Sequence, residues 1–444
     1  MLNSYSQSLV WPALIDPSAA QVYGFLTQLF QTQWLKPDRL RELQSVQLAA
    51  RLRHARETSA YFAPLLAGAE IRAATAFEVL GTLPLLTRAD LQSRMDDIYT
   101  AAPKEHGDVW ATSTSGSTGQ PVTVRCTAAG YALRNAVMMR SLGWHKLDIR
   151  KRFGAIRASI SVKNGVVPVV AKSWGKYVSA VYRTGEGIGL NIRAPIADQR
   201  AFLEKYKPDY LLTYPSNLQA LVQEMPAPPG LRTLITIGET LPQELVDEVW
   251  RAWGIEIFDE YSSQELGSIA VQCEHHAYHC IPEAQFLEVL RDDGTPCGPG
   301  EIGRVVVTDL NNFATAMLRY EIRDYAEVGE PCACGRGSPV LKRIVGRVRN
   351  MLIMPDGSRV WPRFGLKQLG ELAPIRQYQI LQTERTRLEV NLASDRPLSA
   401  DEMQAVAGRI RANTHQDFDV HVANTVGPLL KGANEKLEVF KCLI

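Results

Sequence analysis

The sequence predicts an α/β protein: a large N-terminal α/β part, then a small C-terminal α+β domain. Three observations carry this. The 444 residues exceed what one ordinary hydrophobic core accommodates, so two or more domains are expected. From residue 108 onward, apolar runs of strand type alternate with amphipathic helical segments, the pattern of an α/β core. After about residue 350, short strands flank helices, which reads as a separate α+β unit. Composition adds exclusions. The chain is 45% hydrophobic and 22% charged, with a net charge of +2 from 49 basic and 47 acidic residues. A nucleic-acid-binding protein should show a concentrated basic excess. The N-terminal apolar run, Leu9 to Ile15, is broken by Pro12 and closed by Asp16, which fits neither a signal peptide nor a membrane span. A cytoplasmic location and reduced cysteines are the resulting expectations.

The elements follow in order. Residues 38–62 read as a helix after Pro37, with Leu40, Leu43, Val46, Leu52 and Ala55 at roughly helical spacing. "DVWATST" reads as a strand entering a Gly/Ser loop and "PVTVRCT" as a strand leaving it. In "DQRAFLEKYKPDYLLTYPSNLQALVQEM" a helix, a strand around Tyr210–Thr213 and a helix after Pro215 follow one another. "LRTLITIGE" is a buried-strand pattern ending in Gly-Glu, and "PQELVDEVWRAWG" a helix opened by Pro242 and closed by Gly254. "IEIFDEYSS" is the next strand with its exit loop. Loops at strand ends gather functional groups in such sheets, and the Gly/Ser loop, Gly238-Glu239 and "EYSSQE" all fall there. "AQFLEVL" and "EIGRVVVTDL" are strands around a turn region at 294–303. In the tail, "QYQILQT", "RLEVNLA" and "FDVHVA" are strands around helices at 365–371 and 399–413.

Two stretches carry chemistry. In "ATSTSGSTGQPVTV" (111–124), Ser113, Thr114, Ser115, Ser117 and Thr118 supply hydroxyls, while Gly116 and Gly119 let the backbone approach a ligand. Successive N–H groups and hydroxyls of this kind can surround phosphate oxygens. The loop lacks the lysine of the P-loop pattern. The second stretch is "CEHHAYHC" (273–280) with "CAC" (332–334). Zn²⁺ takes four sulfur or nitrogen ligands, and Cys273, His279, Cys332 and Cys334 can supply them. His275, His276 and Cys280 compete for a place. Four protein ligands would leave no open position, so such a metal would be structural.

"TSTSGSTGQP" resembles the phosphate-binding signature of the adenylate-forming enzymes (acyl-CoA synthetases, adenylation domains, luciferases). Further segments follow in the family's order: "YPSN" at 214–217, "TIGETL" at 236–241, "EYSSQELG" at 260–267, "MLRYEIRDYAEV" at 317–328 and "IVGRVRNMLI" at 344–353. The resemblance covers about residues 40 to 440, and the short chain with its Cys-rich insertion resembles the phenylacetate–CoA ligase-like branch, many of whose members carry a zinc there.

The resemblance implies a large multi-sheet adenylate-forming domain, residues 1–346, and a small mobile α+β domain, residues 347–444. It implies that Ser115, Gly116, Ser117, Thr118 and Gly119 hold the phosphates of ATP, with Gly238 and Glu239 on the adenine side, Tyr261 stacked on the adenine and Ser262 among the ATP/AMP contacts. Glu265 would hold Mg²⁺, Asp324 the ribose hydroxyls, and Arg347 ribose or phosphate. Tyr214, Pro215 and Gly238 would line the acid pocket, and Arg349 would be the hinge. A late lysine would reach the reacting carboxylate and α-phosphate: Lys436 by alignment, with Lys431 and Lys441 as competitors. Gln264, Ile237 and Arg349 depart from the residues usual at their positions.

The implied function is activation of a carboxylic acid, aromatic by analogy, as an acyl-adenylate with release of pyrophosphate, then transfer to the CoA thiol. Transfer to an amine or a carrier-protein thiol is an alternative, and a non-catalytic nucleotide-binding zinc module a remote one. The implied cofactors and partners are ATP, Mg²⁺, CoA, a structural Zn²⁺ and a small acid, with no nucleic acid or membrane. Oligomeric state stays open, a homodimer being one option. Trp144, Trp174, Tyr177, Tyr182 and Tyr214 are the aromatics available in sequence order to wall an acid pocket.

Overall fold

The computed structural model describes residues 2–9, 11–113, 121–161, 166–347, 351–357, 359–360, 369–414, 418–427, 429 and 439–444. Its strands are β1 (Val109–Ser113), β2 (Thr123–Thr127), β3 (Phe153–Arg157), β4 (Val169–Ala171), β5 (Gly187–Asn191), β6 (Tyr210–Thr213), β7 (Thr233–Ile237), β8 (Glu256–Ser263), β9 (Gly267–Gln272), β10 (Tyr278–Cys280), β11 (Gln285–Leu290), β12 (Ile302–Asp309), β13 (Tyr320–Val328) and β14 (Val340–Arg347). Beyond these come β15 (Leu352–Ile353), β16 (Arg359–Val360), β17 (Ile375–Glu384), β18 (Arg387–Ser394), β19 (Asp419–Val426) and β20 (Phe440–Cys442).

Twelve strands form one sheet in the order β11-β12-β13-β14-β10-β9-β8-β7-β6-β3-β5-β4. The run β5-β3-β6-β7-β8 is parallel, and β8 through β11 is antiparallel. The parallel strands are short and mostly apolar because both faces are covered. On one face Leu211, Leu234 and Ile257 pack under Leu203, Leu218, Leu221 and Val249 of three helices. On the other lies the Ala128–Trp144 helix, whose first turn is capped by the Thr127 hydroxyl accepting from Gly130 N. The chain passes from β5 on one side of β3 to β6 on the other. The carboxyl end of β3 is therefore a topological switch point, where such sheets open a ligand crevice.

The C-terminal sheet has the order β19-β18-β17-β20 and packs against the Ala400–Thr414 helix. Ile380, Leu388, Val390, Leu392, Val406 and Ile410 belong to its core, whose buried members among the described residues run from Leu352 to Phe440.

Two helix readings need correction. The helix expected at 38–62 is Pro37–Thr58, because Ser59 turns extended (φ −106°, ψ 121°) and donates its hydroxyl to Asp97 O. A separate short turn, Phe62–Leu65, follows. The helix at 399–413 is Ala400–Thr414, while the one at 365–371 falls mostly outside the described residues. Two long helices went unread, Pro17–Thr32 and Ala128–Trp144. Both carry a sequence start signal, Asp16 before Pro17 and Thr127. Among the described residues no helix is long and apolar enough to cross a membrane.

Candidate active site and metal centre

The hydroxyl-rich loop joins β1 to β2, which pair antiparallel from Val109↔Thr127 to Ser113↔Thr123. Its residues Ser115, Gly116, Ser117, Thr118 and Gly119 lie outside the described residues, as do Arg349 and Lys436. The hairpin below the loop is firmly held. Arg125 N donates to the Thr315 hydroxyl (3.0 Å), which donates back to Arg125 O (2.9 Å). Thr315 thus serves as a one-residue strand partner. Asn312 adds a bond to the same carbonyl (2.9 Å), and the Tyr99 hydroxyl donates to Thr123 O (2.8 Å). The fully buried Arg51 donates to Thr315 O (2.7 Å), and burial lowers its guanidinium to about 10.

β8 carries the next group of residues. The Tyr261 hydroxyl donates to the Asp324 carboxylate of β13 at 2.8 Å, joining motifs 63 residues apart. Tyr261 is 8% exposed, so little of its ring is open to a ligand. Asp324 stands opposite Arg347 in the β13–β14 register; the Arg347 side chain is outside the description. Ser262 sits at a register shift against β9. In the exit loop the Ser263 hydroxyl accepts from Leu266 N (3.1 Å), and Arg134 donates to Glu265 O (2.8 Å). Arg88 meets the Glu265 carboxylate at 3.3 Å, both side chains largely shielded. A capping box of Thr87 and Asp90 starts the Arg88–Ser93 helix and so sets that arginine. Tyr320 is buried beside them, and desolvation with the nearby Glu265 pushes its hydroxyl up.

On the acid side, the Tyr214 hydroxyl accepts from Ala158 N (3.2 Å), closing the crevice between β6 and the end of β3. Pro215 opens the helix Pro215–Glu224. Gly238 has φ 73°, a left-handed turn that favours glycine. Glu239 accepts from Ser216 N (2.9 Å) and the Ser216 hydroxyl (3.1 Å), placing a carboxylate at that helix's positive end. Behind the crevice Asp259 is 3% exposed, bonded by Thr236 (2.5 Å) and Tyr278 (2.8 Å). Burial raises its carboxyl to about 7 against those two bonds.

Most of the aromatics considered for the acid pocket are elsewhere. Trp144 is buried, donates to Gln33 (2.7 Å) and packs edge-on to His279. Trp174 donates to Lys151 O and packs on Phe153 and Tyr210, at the entry ends of their strands. Tyr177 is exposed and Tyr182 packs with a separate core cluster. Such rings satisfy one polar atom and bury the rest, which core positions allow as readily as a pocket. Tyr214 alone of the five stands at the crevice.

At the far end of β9, Cys273, His279, Cys332 and Cys334 converge, their ligand atoms all within 4.8 Å of one another. Cys273 and Cys332 sulfurs are 3.7 Å apart, and Cys334 Sγ is 3.2 Å from His279 Nε2. His279 Nδ1 bonds the Ser338 hydroxyl (2.9 Å), which turns Nε2 toward the sulfurs. Burial pushes His279 down to about 4 and Cys273 up to about 12. His275 donates its backbone N–H to Cys273 Sγ, as Cys334 does to Cys332 Sγ. Cys280 faces the other core, and the His276 ring stacks on Phe258, so neither joins the group.

Arg88, Arg134, Thr315, Asn312 and Ser216 were missed by sequence reasoning. Each acts through a distant partner that no local pattern marks.

No family model matches the chain. The sequence is similar to the phenylacetate–coenzyme A ligase of Thermus thermophilus, 25% identical over 354 residues, 75% of each chain. It is similar also to that of Escherichia coli, 27% identical over 350 residues, 76% of this chain and 77% of the other. Among solved structures, 2-hydroxyisobutyryl-CoA ligase in its postadenylation state superposes with a TM-score of 0.74 at 16% identity, over 92% of this chain and 91% of that one. An anthranilate–CoA ligase in complex with anthranoyl-AMP gives 0.53 at 16% identity, over 74% and 64%. The chain has the fold of the adenylate-forming acyl-CoA ligases, and its sequence similarity lies with their phenylacetate–coenzyme A ligase-like branch.

Proposed function

We propose that the protein is an AMP-forming acid–thiol ligase: it activates an aromatic carboxylic acid with ATP and passes the acyl group to CoA. The observation that carries this is the Tyr261–Asp324 hydrogen bond beside Glu265, which assembles the nucleotide motifs at the edge of a strand-end crevice. A carboxylate oxygen attacks the α-phosphorus and pyrophosphate leaves; the CoA sulfur then attacks the acyl carbon and AMP leaves. Positioning and charge neutralisation supply most of such catalysis. Asp324 accepts from the ribose hydroxyls, Tyr261 meets the adenine through the small part of its ring left open, and Ser262 joins the nucleotide contacts. Gly238 and Glu239 border the base, and Arg347 holds ribose or phosphate. The loop from Ser115 to Gly119 holds the outgoing phosphates. Glu265 offers a hard oxygen ligand suited to Mg²⁺, which when bound neutralises phosphate charge. Tyr214, Pro215 and Gly238 border the acid. Residues 347–444 form the small domain that pivots near Arg349 and brings Lys436 to the α-phosphate.

The Cys–His group fits Zn²⁺. Tetrahedral Zn–S bonds of about 2.3 Å put ligand atoms roughly 3.8 Å apart, close to the Cys273–Cys332 separation of 3.7 Å. Four protein donors make the centre structural.

Acid-dependent ATP–pyrophosphate exchange, followed by CoA-dependent thioester formation, tests the reading. Exchange without thioester, but with acyl transfer to an amine or a carrier thiol, would overturn the CoA step alone.

A further inference from the structure

Directly paired residues of neighbouring strands share a face. Ala155, Leu212, Ile235 and Phe258 are paired in turn across β3, β6, β7 and β8, and so lie on the face covered by the Ala128–Trp144 helix. Two residues further along, at the carboxyl ends, the next row holds Arg157, Ile237 and Glu260, the last two paired directly. This row borders the crevice closed by Tyr214 and Ala158. Below it lies a small cavity with mostly apolar walls, among them Met138, Leu142, Ile235, Phe258 and Val271, and Glu260 is its acidic residue nearest the strand ends.

Glu260 lies outside the set of residues proposed to hold nucleotide and metal. It is only partly exposed, and among the described residues its carboxylate accepts one hydrogen bond, from the Ser268 hydroxyl at 2.6 Å. A carboxylate has about four acceptor sites, so capacity remains. Burial pushes its carboxyl above the ordinary glutamate range, opposed by the Ser268 bond and by Arg157. At the other end of the row, Arg157 Nε is buried and has no hydrogen-bond partner among the described residues. Ser268 and the Arg157 charge offset part of the cost of burying this carboxylate, and its unused acceptor sites leave a place for a ligand donor that a plain hydrocarbon ring would not fill.

We infer that Glu260 is a specificity-determining residue of the acid site and that the activated acid carries an amino group which it receives. This rests on the acid-activation reading and narrows its substrate class. The carboxylate accepts from the amino group, Ser268 holds the carboxylate in place, and an unsubstituted acid leaves it without an added donor. A site built around a hydrogen bond discriminates strongly against analogues that lack it.

Exchange assays with matched pairs test it: 3- and 4-aminobenzoate against benzoate, and 3- and 4-aminophenylacetate against phenylacetate. The wild type should favour the better aminated member of at least one family by roughly tenfold or more in kcat/KM. Glu260→Leu should abolish or reverse that preference while retaining exchange with the unsubstituted acid. Glu260→Gln, which keeps shape and one acceptor, should fall between. Equal or better use of the unsubstituted acids by the wild type, or an unchanged ratio in Glu260→Leu, overturns the inference and leaves acid activation standing. Absence of exchange with every acid overturns the activation reading as well.

Discussion

The two ends of β9 hold two different kinds of site. At one end Glu265 and its neighbours face a crevice; at the other Cys273, His279, Cys332 and Cys334 close on one another. The Cys–His centre comes from two short segments and contains its own partners. The crevice is assembled from single residues of β3, β6, β7, β8 and β13 and from Arg88 and Arg134. Change at the closed centre should therefore read out as lost metal and lost stability. Change at the crevice should read out as lost activity in a folded protein.

The largest effect that sharpens this contrast is at Asp324. Asp324→Asn should lower the exchange kcat/KM for ATP by roughly 10²-fold or more, with little change in the thermal midpoint; an unfolded variant would erase the distinction. Next, Cys332→Ser should lose bound zinc by metal analysis and lower the midpoint by about 5 °C or more. Exchange per folded molecule should stay within a few-fold of the wild type. Activity lost in step with metal in a fully folded variant would break the comparison.

A smaller effect is expected at Arg88, which meets a shielded carboxylate. Arg88→Met should lower kcat/KM about tenfold, the effect of losing one charge-assisted hydrogen bond of roughly 1.5 kcal/mol that positions Glu265, and Arg88→Lys should recover part of it. The smallest effect concerns pH. Asp259 titrates at about 7 when folded and near 4 when unfolded. Between those values the folded state holds the extra proton, so stability falls as pH rises from about 4 to 7. Asp259→Asn should flatten the dependence of the thermal midpoint on pH across that window.

What was legible in the sequence follows the same division. Cys273, His279, Cys332 and Cys334 stand out by spacing, and the structure brings those four together, leaving out Cys280, His275 and His276. The strand-end loops were legible because apolar runs stop at Gly238 and Ser263 and turn residues follow. Thr315 was not: it lies about 190 residues from the Arg125 backbone that it pairs, and a threonine in a loop carries no sign of that. Glu239 was legible as part of a motif but not as the cap of a helix that starts 24 residues earlier. Four of the five aromatics failed for a related reason. A tryptophan whose N–H finds Gln33 or Lys151 O looks the same in sequence as one that faces a ligand. The residues between 17 and 32 and between 128 and 144 hid their helices because their apolar positions are interleaved with small residues, which blurs the periodicity.

The account stands most directly on acid activation at the crevice. The deciding measurement is incorporation of labelled pyrophosphate into ATP, with and without an aromatic acid, in the wild type and in Asp324→Asn. Exchange that requires the acid and falls by roughly 10²-fold in the variant is the predicted result. Exchange independent of any acid, or none across aromatic acids with and without amino groups, would contradict it.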